Sequence, residues 1–300
     1  MHFEYAIFDA HCDTADKWIN KDKKCEFSLK NAKLYKQYTQ VMAVWIDAKK
    51  IRHPFLYTQN MLTMIQKKCK RTKIIQNAND FGKKDVSILL SVEGGEALEG
   101  NLENLRLLFD RGVRLMTLTW NYPNAIGEPS STQKKKGLTA FGKDVICKMN
   151  HLGMAVDVSH LSEQGFWDVL EVTQKPIIAS HSASKTLCAH TRNLSDEQVE
   201  AIIKTGGIIG INFYPTFLGG DSIEDIIRHI LYFLDRGGEN HIGFGSDFDG
   251  ADALPKGISG NMDMYKIINA LLRRNIREDI VQKLAFYNMK RYFTSVLPSL

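Results

Sequence analysis

Six ionisable residues stand where short apolar runs give out. They are His11 and Asp13 in "FDAHCD", Glu93 in "SVEGGE", His160 in "DVSH", His181 in "ASHS" and Asp247 in "GSDFDG". Gathering that many imidazoles and carboxylates in one mouth is costly unless a cation offsets their burial. Two divalent ions would do so. A mixed imidazole and carboxylate set suits zinc or another borderline first-row metal, whereas magnesium favours oxygen ligands alone. His11 and Asp13 are two residues apart, so an extended chain points both to one side and within reach of one ion. Three of the nine histidines occupy such positions. His53, His151, His229 and His241 sit in a loop, on helical stretches or at a strand start, and are read as structural. His190 is read in the same way, in the loop after His181.

The elements that must carry these residues are short and recur. Strands are expected at 5–11, 40–46, 86–92, 113–120, 154–160, 176–182, 207–213 and 241–248. Most are continuous and β-branched, the pattern of parallel strands covered on both faces. Amphipathic stretches lie between them, at 102–112, 142–153 and 195–207 among others. The last two end in glycine, and the third opens with Ser195 and Gln198 in capping-box spacing. Eight strand–helix units point to a TIM-type (β/α)8 barrel rather than an open sheet, with additional C-terminal helix from Asp263 to Leu297. No linker divides the chain, so residues 1–300 are read as one domain. Catalytic groups of such barrels gather at the carboxyl ends of the strands, where all six residues fall.

Composition narrows the field further. The 300 residues are 44% apolar with a net charge of +5. The basic runs at 21–24, 67–73 and 134–136 lack interleaved aromatics and are read as solvated faces, so no nucleic-acid partner is expected. The five cysteines, at 12, 25, 69, 147 and 188, form no C-x-x-C pair, which fits free thiols in a cytoplasmic, reducing compartment. No run reaches the ~20 apolar residues of a membrane span, and no signal peptide is expected. "GFGSDFDG" lacks the spacing of a phosphate-binding glycine loop, and Ala251 breaks the calcium-loop pattern. Ser159 and Ser180 adjoin histidines, but strand alternation is expected to turn them away from the mouth.

In these residues the chain resembles the membrane (renal) dipeptidase family, peptidase family M19, among the amidohydrolase-like metallopeptidases. The matching stretches are "DAHCD" (9–13), "VEGGEAL" (92–98), "VRLMTLTWN" (113–121), "VDVSH" (156–160), "SHSASKTLCAHTRNLSDEQ" (180–198), "GFGSDFDG" (243–250) and "YNMKRYF" (287–293). The resemblance implies a binuclear zinc site, with His11 and Asp13 on one ion, His160 and His181 on the other, and Glu93 bridging. It implies that Arg192 holds the terminal carboxylate of a dipeptide substrate, and that Asp247 shuttles protons and meets the substrate's amino end. A hydroxide between the ions would attack the peptide carbonyl. The resemblance is compatible with a homodimer and implies a soluble, bacterial-type member without the family's lipid-anchor tail. Trp120 stands where some members carry a histidine that contacts the tetrahedral intermediate, so the metals would take more of the oxyanion charge. A related metal-dependent hydrolase of N-acyl amino acids or lactones is the alternative enzyme reading. A barrel retaining only binding is the alternative outside catalysis, and the intact residue set argues against it.

Overall fold

Runs such as "AIFDA" and "SILLSV" place β-branched and large apolar side chains on both sides of an extended backbone, and such a strand must be covered twice. In the computed structural model the described residues form nine strands: β1 (Phe3–Asp9), β2 (Tyr35–Trp45), β3 (Lys73–Ile75), β4 (Val86–Glu93), β5 (Val113–Thr117), β6 (Ala155–Asp157), β7 (Ile178–Ser182), β8 (Ile208–Ile211) and β9 (Ile242–Phe244). The structure describes residues 2–22, 24–83, 85–132 and 136–299. The expected basic runs at 21–24 and 134–136 therefore lie partly outside the described residues. All strand pairs are parallel, in the order β2-β1-β9-β8-β7-β6-β5-β4-β3, and a β2–β4 pairing closes the ring. Eight strands thus make the (β/α)8 barrel. The three-residue β3 was not expected; it pairs with the first half of β4 up to Leu89, and β5 takes over from Leu90. It carries too few residues for a pattern to stand out. β2 also starts at Tyr35, five residues before the expected strand.

Successive residues of each strand enter different cores, as the pleat requires. Phe8, Val41, Leu89, Leu115, Ala155, Ile178 and Ile208 fill the barrel interior. Their neighbours Ile7, Met42, Leu90, Met116, Val156, Ala179 and Ile209 pack outward against the helices. Cys12 belongs to this outer layer, and all five cysteines are free. The interior is sealed from below by the C-terminal tail. Phe286, Met289, Tyr292, Phe293, Val296 and Leu297 complete the inner core, and Phe293 stacks on Phe8 with ring centroids 5.3 Å apart. Tyr292 donates to the Pro176 carbonyl at 3.1 Å, so even the buried phenol is satisfied.

The connecting helices stop and start as their residues dictate. Ser195 and Gln198 form the expected capping box ahead of the helix Asp196–Lys204. Gly153 ends the helix Ala140–Leu152 at φ +76°, a conformation that costs glycine little. His229 is held between the Ser184 amide and the Leu218 carbonyl, both at 3.1 Å, which bears out its structural role. No helix among the described residues is long and apolar enough to cross a membrane.

Candidate active site

The carboxyl ends of five strands bring His11, Asp13, Glu93, His160, His181 and Asp247 into one buried cluster. Just beyond β1, His11 and Asp13 lie on one side of the chain, with Nε2 and Oδ2 3.2 Å apart. Glu93 closes β4 and points its two oxygens differently. Oε2 is 3.6 Å from His11 Nε2, while Oε1 is 3.1 Å from His160 Nε2 and 3.5 Å from His181 Nε2. Gly94 follows at φ +110°, which lets the chain leave the strand immediately after Glu93. Asp247 Oδ1 is 3.9 Å from His11 Nε2, and its Oδ2 accepts from Asn212 at 3.0 Å.

His160 and Asp247 lie beyond their strands and take left-handed backbone angles, φ +66° and +65°. Such conformations are uncommon outside glycine and cluster at functional sites. Here they turn each side chain back over the mouth. Gly250 completes that turn: a Cβ there would come within 2.2 Å of Asp13 Oδ2 and 2.6 Å of Asp247 Oδ1. The glycine in "SDFDG" therefore makes room for two carboxylates.

The donor set fits divalent cations. His11, Glu93 and His181 offer ligand atoms within 4.8 Å of one another, as do His11, Asp13 and Asp247. The Nε2 atoms of His160 and His181 face each other at 3.0 Å. They are close enough for one ion to be reached by both. Asp13 Oδ1 is buried and accepts no hydrogen bond among the described residues.

The electrostatics of the bare protein agree. Burial pushes Asp13 up to about 6, and Glu93 adds to this against the pull of His11. Asp247 rises to about 7, again chiefly by burial, with Asp13 and Glu93 adding to the effect and His11 opposing it. Burial opposes ionisation of Glu93 too, but His11 and His160 outweigh it and hold that carboxyl well below its usual range. For His11, burial is outweighed by Asp13 and Glu93, which raise it. Burial and the Arg192 charge lower His160 to about 4, and burial with His11 and Arg192 holds His181 well below the usual imidazole range. Neutral His160 and His181 facing crowded carboxylates are the state a metal ion binds, while His11 would release its proton to an ion.

Arg192 reaches the same cluster from the loop after β7. It is buried, donates to the His181 carbonyl at 3.1 Å, and leaves Nε without a partner. No carboxylate lies within 4 Å of it among the described residues. His190 supports that loop, its Nδ1 accepting from the Arg192 amide at 3.2 Å. Trp120 is at the rim, edge-on to Trp45 and Tyr122 at 4.9 and 5.5 Å, and 6.4 Å from the His160 ring.

Two serines depart from the sequence-based expectations. Ser180 is not turned away: its hydroxyl touches His181 Nδ1 at 2.8 Å and Asp157 at 2.6 Å. Ser159 accepts from the His181 amide at 3.1 Å. Ser159 lies past the end of β6 at Asp157, and the β7–β8 register is irregular between Ala179 and Ser182, so strict alternation holds at neither serine. Asn121 lies 3.1 Å from His160 Nδ1 through Oδ1, and so serves the histidine rather than the mouth. One signal for these partners was present. A carboxylate within an apolar run, as in "AIFD" or "MAVD", has to find buried donors.

The chain at 24–28 folds onto "DFDG". Asp249 accepts from Thr14 and from the Glu26 amide, and donates its own amide to Glu26 Oε2. Burial raises Glu26 to about 7, the backbone bond opposing and the Asp249 charge adding. A raised carboxyl stabilises the fold fully below its unfolded value, 4.5, and loses that contribution as pH climbs through about 7. Glu26→Gln keeps an acceptor and removes the charge. Its Tm advantage over the parent protein should therefore grow between pH 5 and 8, as followed by thermal melts. A difference independent of pH would show that Glu26 does not titrate in this way.

Comparison with known proteins places this geometry. The family model for membrane dipeptidase, peptidase family M19, matches residues 3–297. An uncharacterised dipeptidase of Schizosaccharomyces pombe is 37% identical over 216 residues, 69% of this chain and 52% of that relative's own length. The crystal structure of dipeptidase AC, a metallopeptidase of family M19, superposes with a TM-score of 0.89 at 25% identity, over 98% of this chain and 99% of that one. A metallopeptidase from Rhodobacter sphaeroides, solved with a phosphinate mimic of the dipeptide L-Ala-D-Ala, gives a TM-score of 0.86 at 25% identity, over 98% and 99%. Matched from the first strand to the helix that floors the barrel, the chain belongs to the membrane dipeptidase family, peptidase family M19.

Proposed function

We propose that the protein hydrolyses the peptide bond of dipeptides with two divalent ions, zinc being the metal best suited to the donors. His11 and Asp13 hold one ion, His160 and His181 the other, and Glu93 is shared. The observation that carries this reading is the Glu93 carboxylate, whose two oxygens face separate histidines. When bound, such ions supply an acidified water and positive charge for the carbonyl oxygen. The residues do the rest. Asp247, steadied by Asn212, takes the water's proton and passes it to the leaving amine. Arg192 offers a free guanidinium edge to the carboxyl end of the substrate. The dipeptide mimic bound to the Rhodobacter enzyme supports the choice of substrate. Residues 1–300 are proposed to work as one domain.

Chelation is expected to abolish dipeptide cleavage, and added zinc or a related divalent metal to restore it. The assay is a panel of dipeptides with L- and D-residues at the carboxyl end, run beside N-acyl amino acids. A metal-loaded protein that cleaves none of the dipeptides would end the proposal.

A further inference from the structure

Asp157 has no place in the mechanism above, yet it is fully buried beneath it. Its Oδ1 accepts the amides of Ser159 and Ser180 at 3.0 and 2.9 Å, and its Oδ2 accepts the hydroxyls of Thr117 and Ser180, both at 2.6 Å. All four contacts come from donors. The one proton of Ser180 is thus committed to Asp157. Ser180 Oγ lies 2.8 Å from His181 Nδ1, and toward that ring it can only accept. Ser159 Oγ, 3.4 Å from Ser180 Oγ, already accepts the His181 amide and can donate to the second lone pair of Ser180. Every hydrogen in the cluster then has one assignment.

From this we infer that Ser180 and Asp157 are positioning residues that fix His181 with its proton on Nδ1. Nε2 is thereby presented as a bare lone pair to the cluster. The neighbouring ring is served differently: His160 Nδ1 donates to the Asn121 amide oxygen at 3.1 Å. One histidine therefore leans on a neutral amide, and the other on a hydroxyl backed by a carboxylate. The second arrangement places more electron density on the imidazole, making His181 the stronger donor of the pair. The inference rests on the metal reading proposed above and adds the residues that orient one ligand.

Ser180→Ala tests it in the full-length, zinc-loaded protein. Competition with a chromophoric chelator should show zinc affinity falling roughly 10–100-fold, the usual effect of losing such a partner. NMR should show a hydrogen-bonded, slowly exchanging Nδ1 proton on His181 in the unsubstituted protein and its loss of protection in the variant. Ser159→Ala, which leaves the Ser180–Asp157 bond intact, should keep both properties. The NMR measurement on the unsubstituted protein needs no variant to fold: a His181 ring carrying its proton on Nε2 would overturn the assignment. So would an unsubstituted protein that binds zinc and cleaves dipeptides while Ser180→Ala holds zinc equally well; that result would leave the proposed function standing. Failure of the unsubstituted protein to bind any divalent ion would remove both.

Discussion

Replacing Asp247 with asparagine is expected to lower kcat by ~10²–10⁴-fold while moving KM far less, because the change removes a proton acceptor and almost no volume. Asn212 already holds one oxygen of Asp247 at 3.0 Å, and an asparagine can keep that contact through its own oxygen. The side chain should therefore stay in place and lose only its ability to take a proton. The other oxygen of Asp247, 3.9 Å from His11 Nε2, faces the cluster and is the one placed to take a proton. Steady-state kinetics on a cleavable dipeptide, with metal content measured in parallel, checks this. An unchanged kcat at full metal loading would assign the proton transfer to another group.

Arg192→Ala should act on the other parameter. A charge-assisted hydrogen bond contributes about 1.5–3 kcal/mol, which corresponds to roughly 10–150-fold in KM for substrates with a free carboxyl terminus. The guanidinium is pre-positioned for this role. Among the described residues it donates to the His181 carbonyl alone, and the Phe217 ring lies 5.4 Å from it. Arg192→Lys keeps the charge but loses the planar fork, so its KM should fall between the two. Dipeptides with an amidated carboxyl end provide the internal comparison. The parent enzyme should discriminate strongly against them and Arg192→Ala should not. Equal discrimination by both proteins would place the carboxylate elsewhere.

Much of this site was legible in the chain before any coordinates. "DAHCD", "SVEGGE", "DVSH", "ASHS" and "GSDFDG" each put a titratable residue where an apolar strand stops, and in a parallel barrel those stops share one rim. The fold class followed from continuous β-branched runs separated by helical periodicity. The precise aim of each side chain did not. His160 and Asp247 face the mouth because of left-handed backbone angles beyond the strand ends, and period-two alternation says nothing of such residues. Ser180 was misplaced for a related reason, since the pairing of its own strand, β7, is irregular between Ala179 and Ser182. Strand β3 was invisible because it is three residues long and is defined by its partner rather than by its own pattern. Trp120, expected to leave more of the oxyanion charge to the metals, is an aromatic neighbour of Tyr122 in its own loop and of Trp45 at the end of β2, a contact between segments far apart in sequence.

The floor of the barrel sets an order of events during synthesis. Phe8 leaves the ribosome long before the rings that cover it, Phe286 and Phe293, which come from the far end of the described chain. Domains generally fold as units during translation, and transiently exposed apolar surface invites aggregation. Leu89, Leu115, Ile178 and Ile208 therefore wait, without their cover, for the tail to emerge. For the nascent chain, the hazard lies at the end of the barrel opposite the chemistry, and it ends only when the last helix arrives.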